Sequence, residues 1–145
     1  MTRCLGTYLI KMDDKGRLFV PAVYRDEFRD GAKLVFRKDF IALYAEEAFD
    51  EFMTKLEEKL AEGSISRSLY TRVTRVTELA SADAQGRVVV PKKMRDALGI
   101  GAGDISLKGH GDYFAIGPRI EEEGELDAAY DVAGETSDEL DGLGM

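Results

Sequence analysis

One nine-residue phrase occurs twice in this chain. Asp13-Asp14-Lys15-Gly16-Arg17-Leu18-Phe19-Val20-Pro21 returns as Asp83-Ala84-Gln85-Gly86-Arg87-Val88-Val89-Val90-Pro91, 70 residues later and without a gap. The match runs past the proline, where Arg25-Asp26-Glu27-Phe28 is answered by Arg95-Asp96-Ala97-Leu98. A repeat of this length implies two copies of one structural unit in a chain of 145 residues that is short enough to be a single domain. It also implies that whatever Asp13 and Arg17 do is done again by Asp83 and Arg87.

Each copy predicts the same order of elements. Tyr8 to Met12 is a short apolar strand, the Asp-x-x-Gly-Arg segment is a turn, and Leu18 to Val20 is a second strand halted by Pro21, which has no N–H for a ladder. Gly16 and Gly86 supply the left-handed backbone that such a tip needs. A helix is expected from Ala22 to Arg29, with Val23, Phe28 and the aliphatic part of Tyr24 inward and Gly31 as its stop. Leu34 to Phe36 and Ile41 to Tyr44 form another strand pair. The second copy repeats this with Val88 to Val90, a helix over Lys92 to Leu98, and strands at Ile105 to Leu107 and Tyr113 to Ile116.

Between the copies, Phe49, Phe52, Met53, Leu56 and Leu60 recur at helical spacing over Glu46 to Glu62. A second helix is expected from Ser64 as N-cap, although Thr71 to Thr77 is β-branched enough to be strand. Glu121 to Val132 reads as a weaker counterpart of the long helix. The Gly, Ser and acid content of 133–145 favours disorder. The organisation is then a first repeat with its following helix (7–63), a basic inter-repeat segment (64–77), a second repeat with its helix (78–132) and an acidic tail (133–145).

Charge is unevenly placed. All 20 Lys and Arg lie within 1–119, whereas 120–145 holds ten acids and no base, so the net −8 describes the tail and hides a mildly basic body. No apolar run of membrane-spanning length or secretory leader is read, and a single cysteine, Cys4, fits a reducing cytosol. His110, the only histidine, has no cysteine neighbours and reads as a turn residue rather than a metal ligand. Nothing assembles a nucleophile, a base or a phosphate loop, so neither an enzyme nor a cofactor is expected.

Two Asp-x-x-x-Arg motifs, each in a Gly-Arg-hydrophobic context that ends in Val-Pro, with a helix between them, resemble the MraZ family, a tandem form of the SpoVT–AbrB DNA-binding domain. The resemblance covers about residues 7–119. It implies an α+β fold: a pseudo-symmetric swapped-hairpin AbrB-type β-barrel built from two β-β-α-β-β repeats, with helices between and after them. It further implies a cytoplasmic, nucleoid-associated transcriptional regulator. Such a protein binds short direct repeats in double-stranded DNA upstream of a division and cell-wall gene cluster, as a ring-shaped homo-oligomer. The DNA-contacting positions it implies are Asp13, Arg17, Asp83 and Arg87.

Physical reasoning gives these residues different tasks. An arginine on a rigid turn can hydrogen-bond guanine or phosphate bidentately, whereas a carboxylate repels phosphate. Each Asp is therefore expected to brace its Arg or cap the turn amides. Lys15, Arg25, Lys92, Lys93 and Arg95 would add sequence-independent phosphate attraction. The same Asp–Arg pair can instead close the hairpin as a surface ion pair of small value. Arg67, Arg72 and Arg75 read as a solvated face, with DNA-facing or intersubunit roles open. The alternative function is an AbrB-like antitoxin or protein-interaction module that grips a basic partner through the acidic tail.

Overall fold

The computed structural model describes residues 2–82, 85–119 and 132–145. Nine antiparallel strands among them share one sheet, in the order β5-β3-β4-β9-β8-β1-β2-β7-β6. The first copy supplies β1 (Thr7–Met12), β2 (Arg17–Leu18), β3 (Lys33–Phe36) and β4 (Ile41–Tyr44). The second supplies β5 (Thr77–Leu79), β6 (Ser81–Ala82), β7 (Val88–Val89), β8 (Gly103–Gly109) and β9 (Phe114–Pro118). The two end strands, β5 and β6, are successive stretches of one segment with only Ala80 between them, so the sheet curls until its edges meet.

The copies do not fold side by side; they exchange partners. β1 of the first copy runs the length of β8 of the second, from Thr7 against Lys108 to Met12 against Gly103. Reciprocally, β5 of the second copy pairs with β3 of the first, Thr77 against Val35. The swapped-hairpin arrangement implied by the family resemblance is therefore present. Where β2 meets β7, Leu18 pairs with Val88, its own counterpart in the repeat. A local twofold axis thus passes between these two residues.

Alternation along those strands sorts residues by face. Leu18, Val20, Val88 and Val90 point inward and are at most 1% exposed. They join Leu34, Ile41, Leu43, Ile105, Leu107 and Ile116 around Phe114. Tyr24 meets the Phe114 ring edge-on, with centroids 4.9 Å apart, and Phe28 lies 5.9 Å away. Burying a side chain of this size contributes about 1.5–3 kcal/mol, so both copies are committed to one shared core.

Helices cover the outside. After Pro21 the chain makes a 3₁₀ turn (Ala22–Tyr24) before the short α1 (Arg25–Phe28). Tyr24 and Phe28 are buried as expected, but Val23 is 80% exposed. The tighter 3₁₀ winding rotates each residue by a third of a turn, which swings Val23 off the inward face. α2 (Glu46–Ala61) seats Ala48, Phe49 and Phe52 on a cluster of Val35, Ala42 and Tyr44. α3 (Arg67–Arg75) is capped by Ser66, whose hydroxyl accepts from the Leu69 amide at 3.1 Å. Ser64, the expected cap, lies two residues before Ser66, and its hydroxyl donates to the Glu62 carboxylate at 3.4 Å. Helix persists to Arg75 and strand begins at Thr77, dividing the stretch that the sequence left open. α4 (Lys92–Leu98) matches its expected span. The tail contains a helix, α5 (Ala133–Gly142), where disorder was expected. Asp83 and most of the helix expected over Glu121 to Val132 lie outside the described residues.

Gly16 and Gly86 both take positive φ, +80° and +81°, but their surroundings differ. A Cβ on Gly16 would lie 2.4 Å from the Val90 carbonyl and 2.7 Å from Arg95 Nε, whereas Gly86 has nothing within 4 Å among the described residues. Left-handed backbone costs an L-residue about 1–2 kcal/mol. Gly86→Ala is therefore expected to lose about that much in urea unfolding. Gly16→Ala, which adds a backbone collision, should lose about 3 kcal/mol. Equal losses would show that the Gly16 contact is relaxed away.

Candidate nucleic-acid interface

The first hairpin tip is built around one carboxylate. Asp13 Oδ1 accepts from the amides of Lys15 (3.0 Å) and Arg17 (2.8 Å), while Oδ2 accepts from Arg17 Nε at 2.5 Å. The backbone closes the same loop, with Asp13 N–H donating to the Arg17 carbonyl at 3.0 Å and Gly16 N–H to the Asp13 carbonyl at 3.1 Å. Partial desolvation alone would raise the Asp13 pKa. The Arg17 amide, the Arg17 side chain, the Lys15 amide and the guanidinium charge outweigh it, so the pKa sits below its ordinary 3.8. The carboxylate thus braces Arg17 and caps the turn amides together. Both side chains remain about one-third exposed.

The second copy helps to hold this tip. Gly16 accepts from the Val90 amide at 2.9 Å. Arg95 donates through Nε to the Val90 carbonyl (3.0 Å) and through a terminal nitrogen to the Asp14 carbonyl (3.4 Å). Arg25 mirrors the first of these contacts, donating Nε to the Val20 carbonyl at 3.2 Å. Read from sequence as phosphate attractors, Arg25 and Arg95 are thus also braces of the strand ends. Lys92 pairs with Asp96 at 2.7 Å, and Lys93 pairs with Glu78. Lys15 lies exposed at the tip itself.

The Leu18–Val88 register brings the two motif arginines together. With Leu18 and Val88 inward, Arg17 and Phe19 on one strand and Arg87 and Val89 on the other share the outward face. Arg17 stands opposite Val89, and the local twofold places Phe19 opposite Arg87. The Arg87 guanidinium carbon lies 5.8 Å from the Phe19 ring centroid, and that of Arg25 lies 4.8 Å away, both within cation–π range. Phe19 is 40% exposed. Sequence reading assigned no role to Phe19, although the strand alternation that buried Leu18 and Val20 already placed it outward. The structure brings Arg17, Arg87, Phe19 and Arg25 to one surface; Asp83 is outside the described residues.

Other singled-out residues have quieter surroundings. Cys4 is buried and bridges Gly111 through backbone hydrogen bonds of 2.7 and 3.0 Å. Burial, then the charges of Asp112 and Glu27, push its thiol up to about 11, which keeps it protonated. His110 stacks on Tyr113 with centroids 4.7 Å apart. Among the described residues no group of His, Cys, Asp and Glu is arranged to hold a metal ion.

The brace has a pH signature. A carboxylate whose folded pKa is depressed contributes stability above its unfolded value and loses it as pH falls through the folded one. The Asp13 carboxyl resonance should therefore titrate below 3.8, the ordinary value. Arg17→Ala should move that midpoint up only part of the way, because the amides of residues 15 and 17 still donate. An unmoved midpoint would mean that the guanidinium does not engage the carboxylate in solution.

Comparison with known proteins agrees with this geometry. Residues 4–69 match the family model described as "MraZ protein, putative antitoxin-like". The chain is 38% identical over 96 residues to the transcriptional regulator MraZ of Cutibacterium acnes, covering 63% of this chain and 65% of that protein. It is 34% identical over 118 residues to the Xylella fastidiosa protein of the same name, covering 77% and 79% respectively. Its identity to the Bacteroides fragilis protein of that name is 33% over 107 residues, 69% of this chain and 68% of that protein. A swapped, duplicated hairpin sheet with an arginine on each tip and relatives of this coverage place the chain in the MraZ family, whose curated members named here are transcriptional regulators.

Proposed function

We propose that the outward face of the β2–β7 ribbon binds double-stranded DNA with sequence preference. The observation that carries this reading is the Leu18–Val88 register, which sets Arg17 and Arg87 diagonally on one surface while the inward residues fix the scaffold. A two-stranded ribbon fits the B-DNA major groove, where a guanidinium can pair bidentately with guanine O6 and N7. Lys15, Arg25 and Arg95 near the strand ends, with Lys92 and Lys93 on α4, would supply phosphate attraction; Asp13 is the brace of the first motif, and the sequence repeat assigns the same task to Asp83.

Affinity is the physical difficulty, because the body carries only a small positive excess. Assembly resolves it: each subunit offers a few contacts, and a ring of subunits offers many at high effective concentration. Short direct repeats about one helical turn apart would present successive sites on one side of the duplex. The proposed target is such repeats upstream of a division and cell-wall gene cluster. The proposed setting is the cytoplasm, in association with the nucleoid. Among the described residues no helix is long and apolar enough to cross a membrane.

Binding to a promoter duplex should weaken steeply with salt and exceed binding to scrambled duplex. Arg17→Ala and Arg87→Ala should each cost about 1–3 kcal/mol per site while the circular dichroism spectrum and assembly size stay unchanged. Fluorescence anisotropy across a salt series reads the binding, and sedimentation reads the assembly size. Normal binding by both variants would make the motif a structural ion pair.

A further inference from the structure

The surface beside the first hairpin contains an uncovered apolar groove of about 510 Å³, lined by Leu9, Phe19, Val20 and Pro21, with Lys11 and Arg25 as its charged members. Leu9 is 44% and Phe19 40% exposed. Phe19 and Arg25 belong equally to the proposed DNA face, so an occupant of the groove would also cover part of that face.

The tail helix has the complementary chemistry. Wound at 100° per residue, Val132, Thr136, Leu140 and Leu143 fall on one stripe, flanked along one edge by Glu139 and Glu135, while Asp138 and Asp141 fall on the other side. Every residue of 132–145 is exposed, Leu140 at 42% and Leu143 at 74%, so the stripe is uncovered too. No basic residue accompanies the four acids.

The point at which the tail leaves the body lies close to the groove. Arg119, the last body residue, pairs with Asp104 at 3.3 Å. Asp104 is the cross-strand partner of Lys11. Arg119, Asp104 and Lys11 therefore form one row across β9, β8 and β1, and strand spacing puts its ends about 10 Å apart. The twelve residues 120–131 that connect Arg119 to the helix can span at most about 40 Å, several times that distance.

From these observations we propose that the acidic C-terminal helix of this chain docks, through Val132, Leu140 and Leu143, in the groove lined by Leu9, Phe19 and Pro21, with its carboxylates toward Lys11 and Arg25. The docked helix competes with DNA for Phe19 and Arg25. Only this consequence rests on the DNA-binding reading; the docking itself does not.

The test uses the full chain with Leu140→Ser and Leu143→Ser together, which removes the apolar stripe and keeps every charge. Methyl relaxation by a soluble nitroxide reads exposure at Leu9, with Leu79, the matching leucine of the second copy and 69% exposed, as the internal control. In the unaltered chain Leu9 should be shielded from the probe; in the double variant its relaxation should rise severalfold while that of Leu79 stays constant. Equal relaxation of Leu9 in both proteins overturns the docking. Binding of a scrambled duplex at low salt should tighten about tenfold in the variant if nine chains in ten are docked. A Leu9 that is uncovered without any change in DNA affinity supports the docking and counts against the DNA-binding reading.

Discussion

The pairing of Leu18 with Val88 joins the two halves of the molecule. Because each residue meets its own counterpart, the sequence repeat becomes a spatial twofold, and one register fixes two consequences. Leu18, Val20, Val88 and Val90 enter a common core; Arg17 and Arg87 reach a common outer face. Slipping the pairing by one residue would invert both sets, placing guanidinium groups in the core and valines in water. The apolar burial that holds the fold is thus the same constraint that presents the arginines.

Strand exchange makes that register hard to lose. β1 is held along its length by β8 of the other copy, and the segment that closes the curl pairs with β3 at one end and β7 at the other. Neither hairpin can open without stripping a strand from its partner copy. The tips inherit this stiffness locally. Gly16 lies against the Val90 carbonyl, and Arg95 reaches across to Asp14, so the first tip is clamped by the second copy while Asp13 ties it from within. A side chain already held in one direction loses less freedom on meeting any ligand.

Local physics was legible in the sequence; partnership between distant segments was not. The strands, the glycine tips and the α2 and α4 spans follow from alternation, helical spacing and turn chemistry, all short-range. That β1 would lie on β8 follows from no local signal and came only through family resemblance. Val23 was misplaced because a helical wheel was applied to a 3₁₀ turn. Ser66 rather than Ser64 caps α3 because the helix starts two residues later than side-chain spacing alone suggests. Composition argued for disorder in 133–145, yet Val132, Thr136, Leu140 and Leu143 carry a helical stripe that composition averages away. Asp13 as a brace is derivable from charge, since a carboxylate four residues from an arginine on one tight tip can pair with it. The role of Phe19 depends on Arg25 and on Arg87 of the other copy, contacts that no local pattern announces.

What the copies do not share is informative in turn. Two identical chains dimerising through this sheet would present identical halves, whereas a duplicated chain can alter each half separately. Altered positions occur in the core, where Tyr24 corresponds to Met94 and Phe28 to Leu98, and at the surface, where chemical character changes as well as size. Phe19 corresponds to Val89, Lys15 to Gln85 and Val23 to Lys93, while Leu18, Val20 and Pro21 keep apolar or identical counterparts. Core counterparts change size but stay apolar, because both halves fill one interior. The outer face has no such restriction, so an aromatic ring stands on one side of the twofold and an aliphatic residue on the other. A face of this kind has a direction along the ribbon, which two identical halves related by the same twofold would lack.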